Sequence, residues 1–113
     1  MDSPDSYRGK FPFLFHFTQM CFVYILQSEV DNSFYVGFTQ DPLKRLEFHN
    51  DPEVNKGVTR HKIPWKYFHK IKTRNKSSAI KIEKHIKRMK SQSYLDNLKK
   101  YPEMSVKLLK KYS

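Results

Sequence analysis

Five side chains in this sequence could act together on a phosphodiester: Tyr24, Tyr35, Arg45, His49 and Glu83. Cleavage of such a bond needs a base for the attacking water, a cation for charge developing on the phosphorane and, commonly, a metal held by a carboxylate. The two phenols could share or pass the water's proton, Arg45 could clamp the phosphate, and His49 could assist. Glu83, nearly alone among cations, could bind one Mg²⁺ or Mn²⁺ and leave the remaining positions to water. Each residue also has a plainer reading. A strand tyrosine is ordinarily half-buried core, Arg45 and His49 on an amphipathic helix are ordinarily solvated, and Glu83 stands one helical turn before Lys87, the spacing of a local ion pair. Only their combination points to a site.

The elements around them must do the positioning. Phe22–Thr39 places two apolar, aromatic-rich runs on either side of a polar segment, Gln27 to Ser33, containing Asp31 and Asn32, residues that tolerate sharp turn angles. A β-hairpin is predicted. Counting outward from its turn brings Tyr24 and Tyr35 close to opposite one another on one face, with Gly37 and Thr39 further along it and Phe34, Val36 and Phe38 on the core side. A glycine weakens a strand unless something approaches the backbone closely, so Gly37 is expected to keep that surface open for substrate, beside Thr39.

Asp41 before Pro42 is a helix start, an N-cap carboxylate ahead of a proline at the first helical position. The helix is expected to reach about Asn50, with Leu43, Leu46 and Asn50 along its inner side and Arg45 and His49 beside them. After a polar connection over 51–63, Trp65, Tyr67, His69 and Ile71 alternate with Lys66, Phe68, Lys70 and Lys72, a half-exposed strand with lysines outward. A second helix over about 77–90 would bury Ala79, Ile82, Ile86 and Met89. Residues 91–113 read as one or two short helices, Tyr94, Leu95 and Leu98 before a break at Pro102, then Met104, Val106, Leu108 and Leu109. The order ββαβα with further helix predicts an α+β fold, a small three-stranded, mostly antiparallel sheet flanked by helices.

Composition bounds the partner. Residues 1–69 hold 8 Lys/Arg against 8 Asp/Glu, whereas residues 70–113 hold 14 against 3, so the whole net charge of +11 sits in the C-terminal part. Such asymmetry implies a polyanion, nucleic acid before any other; a solvated basic helix that aids solubility is the plainer alternative. The lone Cys21 excludes an internal disulfide and a cysteine-built zinc site, and reads as a small buried hydrophobe. No apolar run approaches the ~20 residues needed to span a bilayer, and Phe11–Phe17, broken by Pro12 and His16, is too short for a signal sequence. A cytoplasmic setting without a membrane partner is expected. The length suits one domain, expected over residues 20–113. Residues 1–19 read as an N-terminal extension, disordered or not native, with Met20 as a natural start.

Order and spacing together resemble the GIY-YIG nuclease family, whose two signature tripeptides lie on adjacent strands. Phe22-Val23-Tyr24 corresponds to the first and Tyr35-Val36-Gly37 to the second. Arg45-Leu46-Glu47-Phe48-His49 is similar to the family's R-x-x-x-[HY] segment, and Ile82-Glu83-Lys84-His85-Ile86-Lys87 to the segment presenting its metal-binding glutamate. The resemblance spans about residues 20–100 and is nearest to small single-domain bacterial members related to the nuclease module of the UvrC repair protein. It implies a metal-dependent DNA endonuclease of repair or recombination, leaving a 5′-phosphate and a 3′-hydroxyl.

On that resemblance Tyr24 would orient water or phosphate, Tyr35 would act in proton transfer, Arg45 would stabilise transition-state charge, and His49 would support it or serve as an alternative base. Glu83 would ligate a single Mg²⁺ or Mn²⁺. Substrate binding would fall to Gly37, Thr39, Lys84, Lys87 and Arg88, the basic residues contacting phosphates without reading bases. Asn97 is the nearby candidate for the family's late asparagine. The first tripeptide lacks its glycine and isoleucine, and Phe38 stands where repair-nuclease-like members have a lysine. The competing expectation is a catalytically weak or inactive nucleic-acid-binding module of the same fold. Retention of Tyr24, Tyr35, Arg45 and Glu83 together favours the enzyme, because binding alone needs lysines but not that set.

Overall fold

The computed structural model describes residues 20–113, so the expected extension over 1–19 lies outside the described residues. Strands β1 (Cys21–Ser28) and β2 (Phe34–Thr39) are followed by α1 (Pro42–Asn50), a 3-10 turn at Val58–Lys62, and β3 (Trp65–Thr73). Three helices complete the fold: α2 (Lys76–Met89), α3 (Gln92–Lys100) and α4 (Pro102–Lys111). The sheet has the order β2-β1-β3 with both pairings antiparallel. Because β1 is central and covered on both sides, Cys21, Val23 and Ile25 are buried on one face and Tyr24 and Leu26 on the other.

Local chemistry sets the element ends. In the hairpin turn Asn32 adopts φ 63°, a left-handed conformation that asparagine tolerates better than most residues. Asp31 Oδ1 accepts from the Ser33 N–H and hydroxyl at 3.0 and 2.7 Å, and Lys62 adds a 3.1 Å ion pair. Those bonds from Ser33, then Lys62, hold the Asp31 carboxyl well below the usual range. Side-chain caps start α1 (Asp41 accepting from Lys44 N–H), α2 (Asn75 from Ser78 N–H) and α3 (Ser91 from Tyr94 N–H). At α4 the start is Pro102.

The two faces of the sheet carry different cores. On one, Cys21, Val23, Ile25 and Ile71 pack with Ala79, Ile82 and Ile86 of α2, Leu95 and Leu98 of α3, and Leu108 of α4. Each fully buried branched aliphatic there is worth about 1.5–3 kcal/mol. On the other, Tyr24, Leu26 and Trp65 pack with Tyr35, Leu46, Ile63 and Tyr67. Asn50 fastens α1 over this second face: its side chain donates to the Trp65 carbonyl at 3.0 Å and accepts from the Trp65 N–H at 2.6 Å.

Strand β3 departs from simple alternation. Its pairing with β1 slips between Ile25 and Leu26, where Ile25 opposes His69 but Leu26 opposes Tyr67. The extra residue, Phe68, is a β-bulge, which shifts side-chain direction by one position. Trp65 and Tyr67 therefore join the tyrosine face, while Ile71 joins the aliphatic face and His69 hydrogen-bonds Ser105 of α4 at 3.0 Å. The expected single row of Trp65, Tyr67, His69 and Ile71 is thus divided. Leu43 and Met89, expected inside, are 70% and 44% exposed. Both lie at helix ends, Leu43 in the first turn of α1 and Met89 at the last position of α2.

Candidate active site

Tyr24 and Tyr35 do share a face, but as diagonal neighbours. The hairpin register sets Tyr24 against Gly37 and Tyr35 against Leu26, with the phenol centroids 6.4 Å apart. This changes the meaning of the glycine. A Cβ at Gly37 would lie 2.6 Å from Tyr24 Oη and 2.7 Å from its Cζ. The close approach is made by Tyr24's own ring, folded across β2, so Gly37 is covered rather than left open to substrate. Thr39 is also committed elsewhere: it is buried, and its hydroxyl accepts from the Asp41 N–H at 3.1 Å and donates to the Asp41 carbonyl at 3.4 Å, shaping the entry into α1.

Helix α1 delivers His49 and Arg45. His49 is 4% exposed; its Nε2 shares a 3.0 Å hydrogen bond with Tyr24 Oη and its Nδ1 a 2.9 Å bond with Thr59 Oγ1. The Tyr35 ring stands 5.1 Å from the imidazole. Burial, then the nearby Arg45 charge, lowers the His49 pKa to about 4. The imidazole is therefore neutral at pH 7, and so weak a base suits the supporting role better than the alternative-base role.

Tyr24 is 2% exposed. Burial, then Tyr35, pushes its pKa above the usual phenol value; Arg45 opposes this, while Tyr67 and Glu83 add to it. Arg45 comes from α1 and Glu83 from α2. Arg45 is half-buried, its guanidinium 5.5 Å from the Phe48 ring centroid. The Glu83 side chain is 14% exposed, with Lys87 Nζ 3.4 Å from Oε2, so the ion pair expected from spacing is present.

Among the described residues no three His, Cys, Asp or Glu side chains gather around a common point. A single carboxylate suits Mg²⁺ or Mn²⁺, which retain several waters, and does not suit a closed zinc cage. Lys84 and Arg88 are exposed on α2. Asn97 is exposed on α3, whose buried Leu95 and Leu98 pack on the aliphatic face.

Three supporting residues were not singled out from the sequence. Asn55 and Thr59, in the polar connection, are 1% and 4% exposed, behind His49. Tyr67 stands edge-on to Tyr24 with centroids 6.1 Å apart and donates to the Pro42 carbonyl. An uncharged Asn and Thr in a loop carry no mark of burial until Trp65, whose indole N–H donates to the Thr59 carbonyl at 2.8 Å, closes the loop over the site.

The site thus combines a buried Tyr–His pair and a second tyrosine diagonal to it on the hairpin, with an arginine and a glutamate carried on separate helices. Residues 20–99 match the family model of the GIY-YIG catalytic domain. The chain belongs to the GIY-YIG family, a family of nucleases acting on nucleic acid. It is also 33% identical over 82 residues to a UPF0213 protein of Syntrophus aciditrophicus (strain SB), a match covering 73% of this chain and 93% of that protein. Among the described residues no helix is long and apolar enough to cross a membrane.

Proposed function

We propose that the protein is a metal-dependent endonuclease that hydrolyses DNA phosphodiester bonds in the cytoplasm, in DNA repair or recombination. The observation that carries this reading is the buried Tyr24 phenol, hydrogen-bonded to His49 at 3.0 Å and with its ring centroid 6.4 Å from that of Tyr35, in a chain of the GIY-YIG family. Arg45 would present its fixed fork of donors to charge building on the phosphate oxygens. Tyr24 would orient the water or the phosphate, and the less buried Tyr35 would help move the water's proton. His49, neutral and bonded to Tyr24, would support that phenol. Glu83 would hold one Mg²⁺ or Mn²⁺, which when bound supplies Lewis-acid stabilisation of phosphate charge. Lys84, Lys87 and Arg88, exposed on α2, would attract the DNA backbone without reading sequence, an attraction that weakens steeply with salt. Residues 20–113 would form the single working domain, with 1–19 an extension to it.

The Glu83–Lys87 ion pair supports a second reading, an inactive nucleic-acid-binding module in which a lysine occupies the carboxylate. Plasmid nicking with Mg²⁺ or Mn²⁺ by wild type, Glu83→Ala and Tyr35→Phe separates the two. The enzyme reading expects nicking by wild type and losses of about 10²–10⁴-fold in each variant. Nicking that is absent, or equal in all three, overturns it, and retained salt-dependent DNA binding would then favour the module.

A further inference from the structure

Behind the Tyr24–His49 pair lies a chain of buried polar groups whose hydrogen count can be worked out from two fixed ends. Asn55 Oδ1 lies 2.9 Å from the Gly57 N–H, which can only donate, and Asn55 Nδ2 lies 2.9 Å from the His49 carbonyl, which can only accept. The orientation of the amide is therefore determined. Its second Nδ2 hydrogen points to Thr59 Oγ1 at 2.7 Å, making the hydroxyl an acceptor there. A threonine hydroxyl has one hydrogen to give. Thr59 is 4% exposed, and the hydrogen-bond neighbour left to that hydrogen is His49 Nδ1 at 2.9 Å. A neutral imidazole that accepts at Nδ1 carries its hydrogen on Nε2, the nitrogen 3.0 Å from Tyr24 Oη.

We infer that Asn55 and Thr59 are positioning residues that lock His49 in the Nε2–H tautomer, so that His49 donates to Tyr24 Oη and the phenol's own hydrogen is left for a phosphate oxygen or water of the substrate. In this arrangement His49 does not receive the Tyr24 proton, because its lone pair is turned away toward Thr59. Tyr24 is presented to the substrate as a hydrogen-bond donor whose oxygen is anchored from behind, and proton removal from water falls to another group. The low basicity of His49 agrees with a ring that stays neutral in this role. The catalytic consequence rests on the nuclease reading; the tautomer itself does not.

Long-range ¹H–¹⁵N spectra of the labelled wild-type protein at pH 7 read the tautomer directly. His49 Nε2 is expected at the protonated, pyrrole-like position and Nδ1 at the unprotonated, pyridine-like one. In Thr59→Val, which keeps the backbone carbonyl that holds Trp65, the Nδ1 resonance should move further from its protonated position and nicking should fall about tenfold, the scale of one hydrogen bond. Thr59→Ser should restore both. A protonated Nδ1 in wild type, or an Nδ1 resonance indifferent to Thr59→Val, overturns the lock. If the tautomer is as inferred but wild type cuts no DNA, it is the nuclease reading that fails, and with it the positioning role.

Discussion

The two faces of one small sheet are built on opposite terms. On the helix-covered face Val23, Ile25, Ile71, Ile82, Ile86 and Leu98 meet through aliphatic surface, and what matters is volume. On the α1 face the buried Tyr24 and His49 meet Thr59 and Asn55 through donor–acceptor matches, and Trp65 is bonded to Asn50 and Thr59. There what matters is which atom carries a hydrogen. The aliphatic face can absorb a change of shape at a cost in stability, whereas the polar face has little slack in either geometry or protonation. The cations follow the same division, with Lys84, Lys87 and Arg88 on the outer surface of a helix whose inner stripe is aliphatic.

The comparison is open to breaking by substitution on each side. Leu98→Ala, fully buried in the core on the other face of the sheet from Tyr24 and Tyr35, should lower unfolding free energy by about 2–5 kcal/mol while leaving the nicking rate of the folded protein near wild type. Urea unfolding with an unchanged midpoint would show that the aliphatic face does not hold the fold. Acid probes the other side. His49 titrates at about 4 when folded against ~6.5 unfolded, so the unfolded chain binds more protons in that interval. Its contribution, roughly 3 kcal/mol, should be present above pH 6.5 and lost as pH falls toward 4. A His49→Gln protein with the same pH slope would assign that slope to other groups. Gly37→Ala forces its methyl against Tyr24 and should cost about 1–3 kcal/mol, as overpacking does. Its nicking loss should exceed what that instability explains, and wild-type nicking would release Tyr24 from the site.

Much of this was legible in the residues. Asp41-Pro42 predicts the start of α1, and the runs around Asp31 and Asn32 predict the hairpin, because both depend on contacts only a few residues long. The family motifs single out Tyr24, Tyr35, Arg45 and Glu83 as candidates, and the shared face of the two tyrosines is the part the sheet shows. What was hidden depended on pairing across the sheet. Counting from the turn brings Tyr24 and Tyr35 close to opposite one another, whereas the register opposes Tyr24 to Gly37 and so reverses the reading of that glycine. Asn55 and Thr59 resemble solvated loop residues until Trp65 closes over them. The bulge at Phe68 had no signal, since an apolar residue among lysines fits either side of a strand.

That bulge has a consequence for reading related sequences. Because Phe68 is the residue by which β3 changes sides, Trp65 and Tyr67 serve one core and Ile71 the other. A relative lacking one residue here would keep a perfectly alternating strand yet exchange the partners of everything before the gap. A single-residue gap within β3 therefore marks a rewired site, even in a chain whose tyrosines, arginine and glutamate all align.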